Sequence, residues 1–212
     1  MNDKLPIKKT KKTAGVIIIG NEILSGRTQD KNIAYIGKKL EKRGIFLTEV
    51  IVIPDDEKTI IEKVKTYSNK FNYVFTTGGI GPTHDDITTA SIAKAFSVKL
   101  IRHTEAVAIM KSYYEPGALT EARLKMADIP EGAMLIDNPV SGAPGIQFKN
   151  IFIMAGVPEI MQAMLDGLTD GLVGGPPILT ASISTNLTES KLASGMSKIQ
   201  NECIEVTIGS YP

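Results

Sequence analysis

Four short apolar runs, spaced by stretches of helical periodicity, constrain this chain more than any other feature. "GVIIIG" at 15–20, "LTEVIVI" at 47–53, "YVFTT" at 73–77 and "IFIMAG" at 151–156 are of strand length. The first, third and fourth are almost continuously apolar, the pattern of parallel strands covered on both faces. Between the first two, Ile33, Ile36 and Leu40 recur at helical spacing, and Gly44 supplies a stop. Between the second and third, Ile60, Ile61 and Val64 form another stripe behind an acidic first turn. "DITTASIAKAF" at 86–96 reads as a further helix. This alternation predicts a three-layer α/β/α domain with a mostly parallel sheet.

A second region carries two helix-like stretches, "HTEAVAIMKSYY" and "LTEARLKMADI", and then "EGAMLIDNPVSGAPGIQF", read as loop with one short strand. "PEIMQAMLDGL" is helical, with proline placed for a first turn. "LVGGPP" at 172–177 then breaks the pattern. The expected organisation is a disordered basic leader over 1–13, a main domain over 14–170, and a small strand–helix–strand α/β appendage over 171–212. The chain closes just after a strand-like run and is expected to be shorter than its relatives. Lys8, Lys9, Lys11 and Lys12 read as a solvated face of the leader.

Composition excludes several classes. With 212 residues and 42% hydrophobic content the chain can bury one full core. A net charge of +1 gives no field favouring nucleic acid or an anionic membrane. A single cysteine, Cys203, cannot form an internal disulfide, which suits a reducing cytoplasm. No apolar run approaches the roughly 20 residues that span a bilayer.

The chemistry concentrates in "TTGGIGPTHDDITTA" at 76–90. Gly78, Gly79 and Gly81 follow a strand and precede a helix, where backbone N–H groups can meet an anion. The stretch is neither a Walker A loop nor a dinucleotide GxGxxG. Asp85 and Asp86 could simply cap the helix. Alternatively, Asp86, supported by Asp85, holds a divalent cation that bridges the carboxylates to phosphates. As neighbours on a helix, the two are not expected to point the same way.

Three more loops follow strands and should reach the same edge of an open α/β sheet. The first carries Glu22, Ser25, Asp30 and Asn32; the second Asp55 and Asp56; the third is "AGVPE" at 155–159. Asp30, Asp55 and Asp56 have plain helix capping as the competing role. His103 reads as a surface residue, His84 is open, and Met154, Met161 and Met164 read as core. No Cys/His group suggests structural zinc, and no GxSxG elbow suggests acyl transfer.

At these residues the chain resembles the molybdopterin-binding domain family. "TTGGIGPTHDDIT" is similar to its TTGG-x-G and D-x-T signature. "GNEILSGRTQDKNIAYI", "PDDE", "GGIGPTHDD", "NPVSGAPG" and "AGVPEIM" follow in order the elements of the CinA-type subgroup, over about residues 14–168. Ala155 stands where the last motif usually has proline. The resemblance implies one of two chemistries. One is a divalent-metal-dependent (Mg, Mn or Co) pyrophosphatase acting on ADP-ribose or FAD; the other is molybdopterin binding with adenylyl transfer. A non-catalytic nucleotide- or pterin-binding module is the third possibility. On the first reading Asp86, Asp55 and Asp56 are catalytic, and Asp86 and Asp85 hold metal. Gly78, Gly79, Gly81 and Thr83 cradle phosphate, with Glu22 and Asn32 beside them. Ser141, Gly142, Pro144 and Gly145 form the opposite wall. The resemblance also implies a homo-oligomer, dimer or trimer, and a small-molecule ligand. The amidase domain that CinA proteins often carry has no counterpart here, so its activity is not expected.

Overall fold

The computed structural model describes residues 11–211. The chain forms β1 (Lys12–Ile19), α1 (Asn21–Leu24), α2 (Asn32–Lys42), β2 (Ile45–Ile53), α3 (Glu57–Lys70), β3 (Tyr73–Thr77) and α4 (Thr88–Ala95). There follow β4 (Leu100–Arg102), α5 (Thr104–Tyr113), α6 (Glu121–Leu124), a 3-10 turn (Lys125–Ala127) and β5 (Asp128–Pro130). Then come β6 (Met134–Ile136), β7 (Gly145–Phe148), β8 (Ile151–Met154), α7 (Pro158–Thr169) and α8 (Glu189–Glu202).

The main sheet has the order β2-β1-β3-β8-β7-β6. β1 pairs in parallel with β2 and β3, and β3 with β8; β7 runs antiparallel to both neighbours. Strand alternation sorts the core into two layers. Val16, Ile18, Phe75 and Phe152 pack with Ile36 and Leu40 of α2 and with Met161 and Leu165 of α7. Ile17, Ile19, Val74 and Ile153 face the other way, onto Ile60 and Val64 of α3 and Ile92 of α4. Both faces of the central strands are therefore covered, which is why those runs are almost continuously apolar. Met154, Met161 and Met164 are buried as expected.

Several expectations need correction. β1 starts at Lys12, inside the expected leader, and Lys11 Nζ lies 4.9 Å from the centre of the Phe46 ring. The rest of the leader, with Lys8 and Lys9, lies outside the described residues. The first compact unit runs to Ile178 rather than 170. Its last segment is held because Leu172 is buried, Gly175 N–H donates to the Arg43 carbonyl (3.0 Å), and Val173 exchanges two hydrogen bonds with the Tyr73 hydroxyl.

The second unit, 179–212, contains α8, but among the described residues the strands expected on either side of it are not formed. An isolated pair of short strands is marginal without a third strand or a helix to bury a face, and no residue of α8 is buried. Gln200 instead ties the chain back on itself through Val206 O (2.6 Å) and Ile208 N–H (2.8 Å). The expected single strand near 133–148 is two, β6 and β7, and β4 and β5 form a separate antiparallel pair. Strands of three or four residues are too short to show a period.

Candidate functional site

A cleft of about 550 Å³ opens at the carboxyl ends of β1, β2, β3 and β8. Its position follows from the topology: loops leaving parallel strands gather on one edge. Glu22, Asp55, Gly79 and Asp86 all line it. These four come from the loops or turns after three different strands.

The glycine turn is built by close approach. Gly78 has φ +100°, and a Cβ there would sit 2.1 Å from the Ile19 carbonyl oxygen. Gly79 has φ +67°, with the Thr88 hydroxyl 2.2 Å from where its Cβ would be. Thr88 locks this turn, donating from Oγ1 to Gly78 O and from its N–H to Gly79 O, both at 3.0 Å. Among the described residues, the N–H groups of Gly79, Ile80 and Gly81 donate to no protein acceptor. All three residues line the cleft, so three consecutive donors are available to an anion.

Asp85 and Asp86 do not cap α4. The cap position is Ile87, with no side-chain hydrogen bond. The two carboxylates converge instead on Thr83, whose Oγ1 lies 2.6 Å from Asp85 Oδ1 and 2.5 Å from Asp86 Oδ2. That hydroxyl has one proton for two acceptors. The Thr83 N–H adds 2.8 Å to Asp86 Oδ2. Convergence is possible because residues 83–86 form a turn before the helix begins, so the helical geometry that would separate neighbours does not apply. The Thr83 hydroxyl, assisted by the Asp85 N–H, His84 and Lys125, holds the Asp85 carboxyl below the usual carboxylate range. Both Thr83 donors are thereby committed to the aspartates and not offered to phosphate.

The second aspartate pair divides its work. Asp56 is the N-cap of α3, accepting from Thr59 N–H (2.9 Å) and Thr59 Oγ1 (2.8 Å). Those bonds lower its carboxyl below the usual range, and it does not line the cleft. The catalytic role expected for Asp56 is therefore corrected to a capping one. Asp55 accepts the Asn21 N–H at 2.9 Å and faces the cleft. Asp30 closes the turn that leads into α2, accepting from Asn32 N–H (3.1 Å) and Ile33 N–H (2.9 Å). Asn32 lines a smaller chamber beside the main cleft. His84 is exposed outside the cleft, and His103 caps α5.

The far wall is the loop between β6 and β7. Ser141 and Pro144 line the cleft, whereas Gly142 packs on the Tyr113 ring and Gly145 belongs to β7. The loop is organised by Asn138, which sequence reasoning did not single out. Its Nδ2 donates to Ser141 Oγ and Ala143 O, both 2.6 Å, while its Oδ1 accepts the N–H groups of Val140 and Ser141. The Asn-Pro step at 138–139 was the available signal. Lys125 was also missed. Its Nζ donates to the carbonyls of Thr83 (2.8 Å) and Asp86 (3.1 Å), pinning the aspartate turn from outside. Nothing in its sequence surroundings marks it.

Among the described residues, four carboxylates, from Glu22, Asp55, Asp85 and Asp86, line the cleft, and no Lys, Arg or His does. Among the described residues no three His, Cys, Asp or Glu side chains converge to hold a metal ion unaided. The donor set fits an ion completed by ligand phosphates and water, the usual habit of Mg²⁺, rather than a closed protein cage.

A parallel sheet whose carboxyl edge carries a tight glycine turn, free N–H donors and carboxylates defines an open α/β domain with its cleft at the strand ends. The comparisons make the class specific. The chain belongs to the molybdopterin-binding family: the model described as a probable molybdopterin binding domain matches residues 15–174. A protein of Pyrobaculum aerophilum is 32% identical over 213 residues, covering 95% of this chain and 80% of its own length. A protein of Thermoplasma volcanium is 34% identical over 207 residues, covering 95% and 81%. Among solved structures, the protein CinA of Thermoplasma acidophilum, of unknown function, superposes with a TM-score of 0.71 at 37% identity, over 76% of this chain and 98% of its own. The molybdopterin biosynthesis enzyme MoaB of Thermus thermophilus superposes at 0.52 with 15% identity, over 78% and 99%, which shows the fold alone. The chain is thus a member of the molybdopterin-binding domain family and is similar over most of its length to the protein CinA. Among the described residues no helix is long and apolar enough to cross a membrane.

Proposed function

We propose that this cleft binds a dinucleotide diphosphate such as ADP-ribose or FAD and hydrolyses its pyrophosphate link with the help of a divalent ion. One observation carries the reading: among the described residues, three free backbone N–H donors share a cleft with four carboxylates and no cationic side chain. A diphosphate meeting those carboxylates alone would be repelled. Mg²⁺, Mn²⁺ or Co²⁺ between phosphates and carboxylates would offset that charge and the charge developing in the transition state.

The chain's own residues have separate tasks. The N–H groups of Gly79, Ile80 and Gly81 bind phosphate oxygens. Asp86 and Asp85 supply carboxylates fixed by Thr83. Asp55, fixed by the Asn21 N–H, supplies a third from the neighbouring strand end. Water adds to one phosphorus and the bridging P–O bond breaks. The proton of the water passes to solvent or to the leaving phosphate, giving AMP and ribose 5-phosphate from ADP-ribose, or AMP and FMN from FAD. The family match supports a second reading, molybdopterin binding, to which adenylyl transfer would be the accompanying chemistry. It needs the same cradle with a pterin phosphate as acceptor.

The deciding experiment incubates purified protein with ADP-ribose, with FAD, and with ATP plus molybdopterin, each with Mg²⁺, Mn²⁺ or Co²⁺. Metal-dependent AMP release from a dinucleotide is expected. Adenylylated molybdopterin without dinucleotide cleavage would replace the first reading by the second. Binding with no product would leave a non-catalytic module.

A further inference from the structure

Beside the main cleft lies a chamber of about 60 Å³. The two share Ile19, Glu22, Thr28, Gly156 and Pro158, so the chamber is a side pocket of the same site. Asn32 and Thr77 line it and are 3% and 1% exposed. Asn32 Oδ1 and Thr77 Oγ1 have no hydrogen-bond partner among the described residues. Buried polar atoms are nearly always paired, so each such exception calls for a partner that is not protein.

The orientation of Asn32 is fixed. Its Nδ2 donates to the Gly156 carbonyl at 2.9 Å, and turning the amide over would set oxygen against oxygen. The unpaired atom is therefore an acceptor, and it needs either a hydrogen-bond donor or a monovalent cation such as potassium. The Glu22 carboxylate on the same wall is also an acceptor, and the Thr77 hydroxyl can play either part. Phosphates carry no such donors. In a nucleotide, hydrogen-bond donors are found only on the sugar hydroxyls and the base. Water occupies about 30 Å³ in the liquid, so the chamber takes two water-sized groups and excludes a ring. Two adjacent donors of that size describe a vicinal diol.

The geometry points to the chamber as a diol subsite, in which Asn32 Oδ1, Thr77 Oγ1 and Glu22 bind the 2′- and 3′-hydroxyls of a ribosyl group whose phosphates lie on the Gly79–Gly81 turn. This rests on the nucleotide reading of the cleft and adds what that reading lacks, selection for ribose over deoxyribose. Thr77 reaches the chamber because it is the last residue of β3, one step before the glycine turn, so phosphate cradle and diol subsite are built by consecutive residues.

The test uses the full chain and isothermal calorimetry with ADP, 2′-deoxy-ADP and 2′,3′-dideoxy-ADP, in Mg²⁺ and at two potassium concentrations. The wild type should prefer ADP to the dideoxy compound by about tenfold or more, because a site built to bond a hydroxyl rejects the analogue that lacks it. Thr77→Val keeps the shape and removes one hydroxyl; the preference should shrink, and Thr77→Ser should restore it. Equal affinity for the three nucleotides would show that the chamber holds water only and overturn the proposal. So would no nucleotide binding at all, or a potassium requirement unconnected to the sugar. Hydrolysis of ADP-ribose is measured separately. Ribose selection without hydrolysis would sink the pyrophosphatase reading and leave the diol subsite standing, while hydrolysis without ribose selection would do the reverse.

Discussion

The Thr83 backbone N–H donates to Asp86 Oδ2 at 2.8 Å, closing a four-residue turn that sets the Asp86 carboxylate against the cleft. The same oxygen lies 2.6 Å from where a Gly81 Cβ would stand, so the glycine loop and the aspartate turn leave each other no spare room. If Asp86 serves only this turn, asparagine can accept the same N–H and turnover should persist. If it holds a cation, Asp86→Asn should lower turnover on the order of a hundredfold or more, about 3 kcal/mol of transition-state stabilisation, with the melting temperature little changed. Asp85→Asn should be milder. Turnover within a few-fold of wild type for Asp86→Asn would remove the metal role.

Asp55 and Asp56 are adjacent in sequence and opposite in duty. Asp56→Asn should leave turnover within about twofold, because asparagine caps nearly as well as aspartate. Asp55→Asn should cost at least about tenfold in turnover while thermal unfolding stays put, as expected of a group stabilising charge rather than fold. Parallel activity and melting measurements on the two variants separate them; equal losses would contradict the division.

Lys125→Met keeps the bulk of the chain and removes two donors from the aspartate turn. Turnover should fall by roughly tenfold through looser carboxylate placement. Amide exchange at residues 83–86 should speed up, while that of β1 and β3 is unchanged. Unaltered exchange in the turn would show that Lys125 does not pin it.

Acid should weaken the same turn. The Asp85 carboxyl is held below its ordinary value near 3.9. Because its folded value is depressed, the stabilisation is fully present above the ordinary value and is lost as pH falls through the lowered one. Protection of the turn amides in wild type, taken relative to their intrinsic exchange rate, should therefore fall below about pH 4, and in Asp85→Asn this acid-linked step should be absent.

Two glycine substitutions distinguish a required turn from a merely permissive one. Gly79→Ala adds a Cβ 2.2 Å from the Thr88 hydroxyl at φ +67°. It should destabilise by about 2 kcal/mol or more, combining the left-handed penalty with the clash. Gly117→Ala, at φ +83° with nothing within 4 Å, should cost only about 1 kcal/mol. Chemical denaturation compares them. With a net charge of +1 offering no repulsion, light scattering of the wild type is expected to show a dimer or trimer.

The alternation of apolar runs and helical stripes determined the parallel sheet, because strands buried on both faces leave an unbroken apolar signature. The order of the loops then dictated that Glu22, Asp55, Gly79 and Asp86 meet at one edge, since parallel strands discharge their loops on the same side. Tertiary structure decided what each residue does there. Sequence could not say which of Asp55 and Asp56 caps α3, because one residue of phase at the end of β2 separates the two roles. Nor could it place Asp85 and Asp86 together, since that depends on where α4 begins. Lys125 acts on the carbonyls of Thr83 and Asp86, brought near by folding from some forty residues away, which leaves no trace in residue identity. The flanks of α8 had strand-like composition but pair with no other strand among the described residues, and a strand exists only through its neighbour's hydrogen bonds.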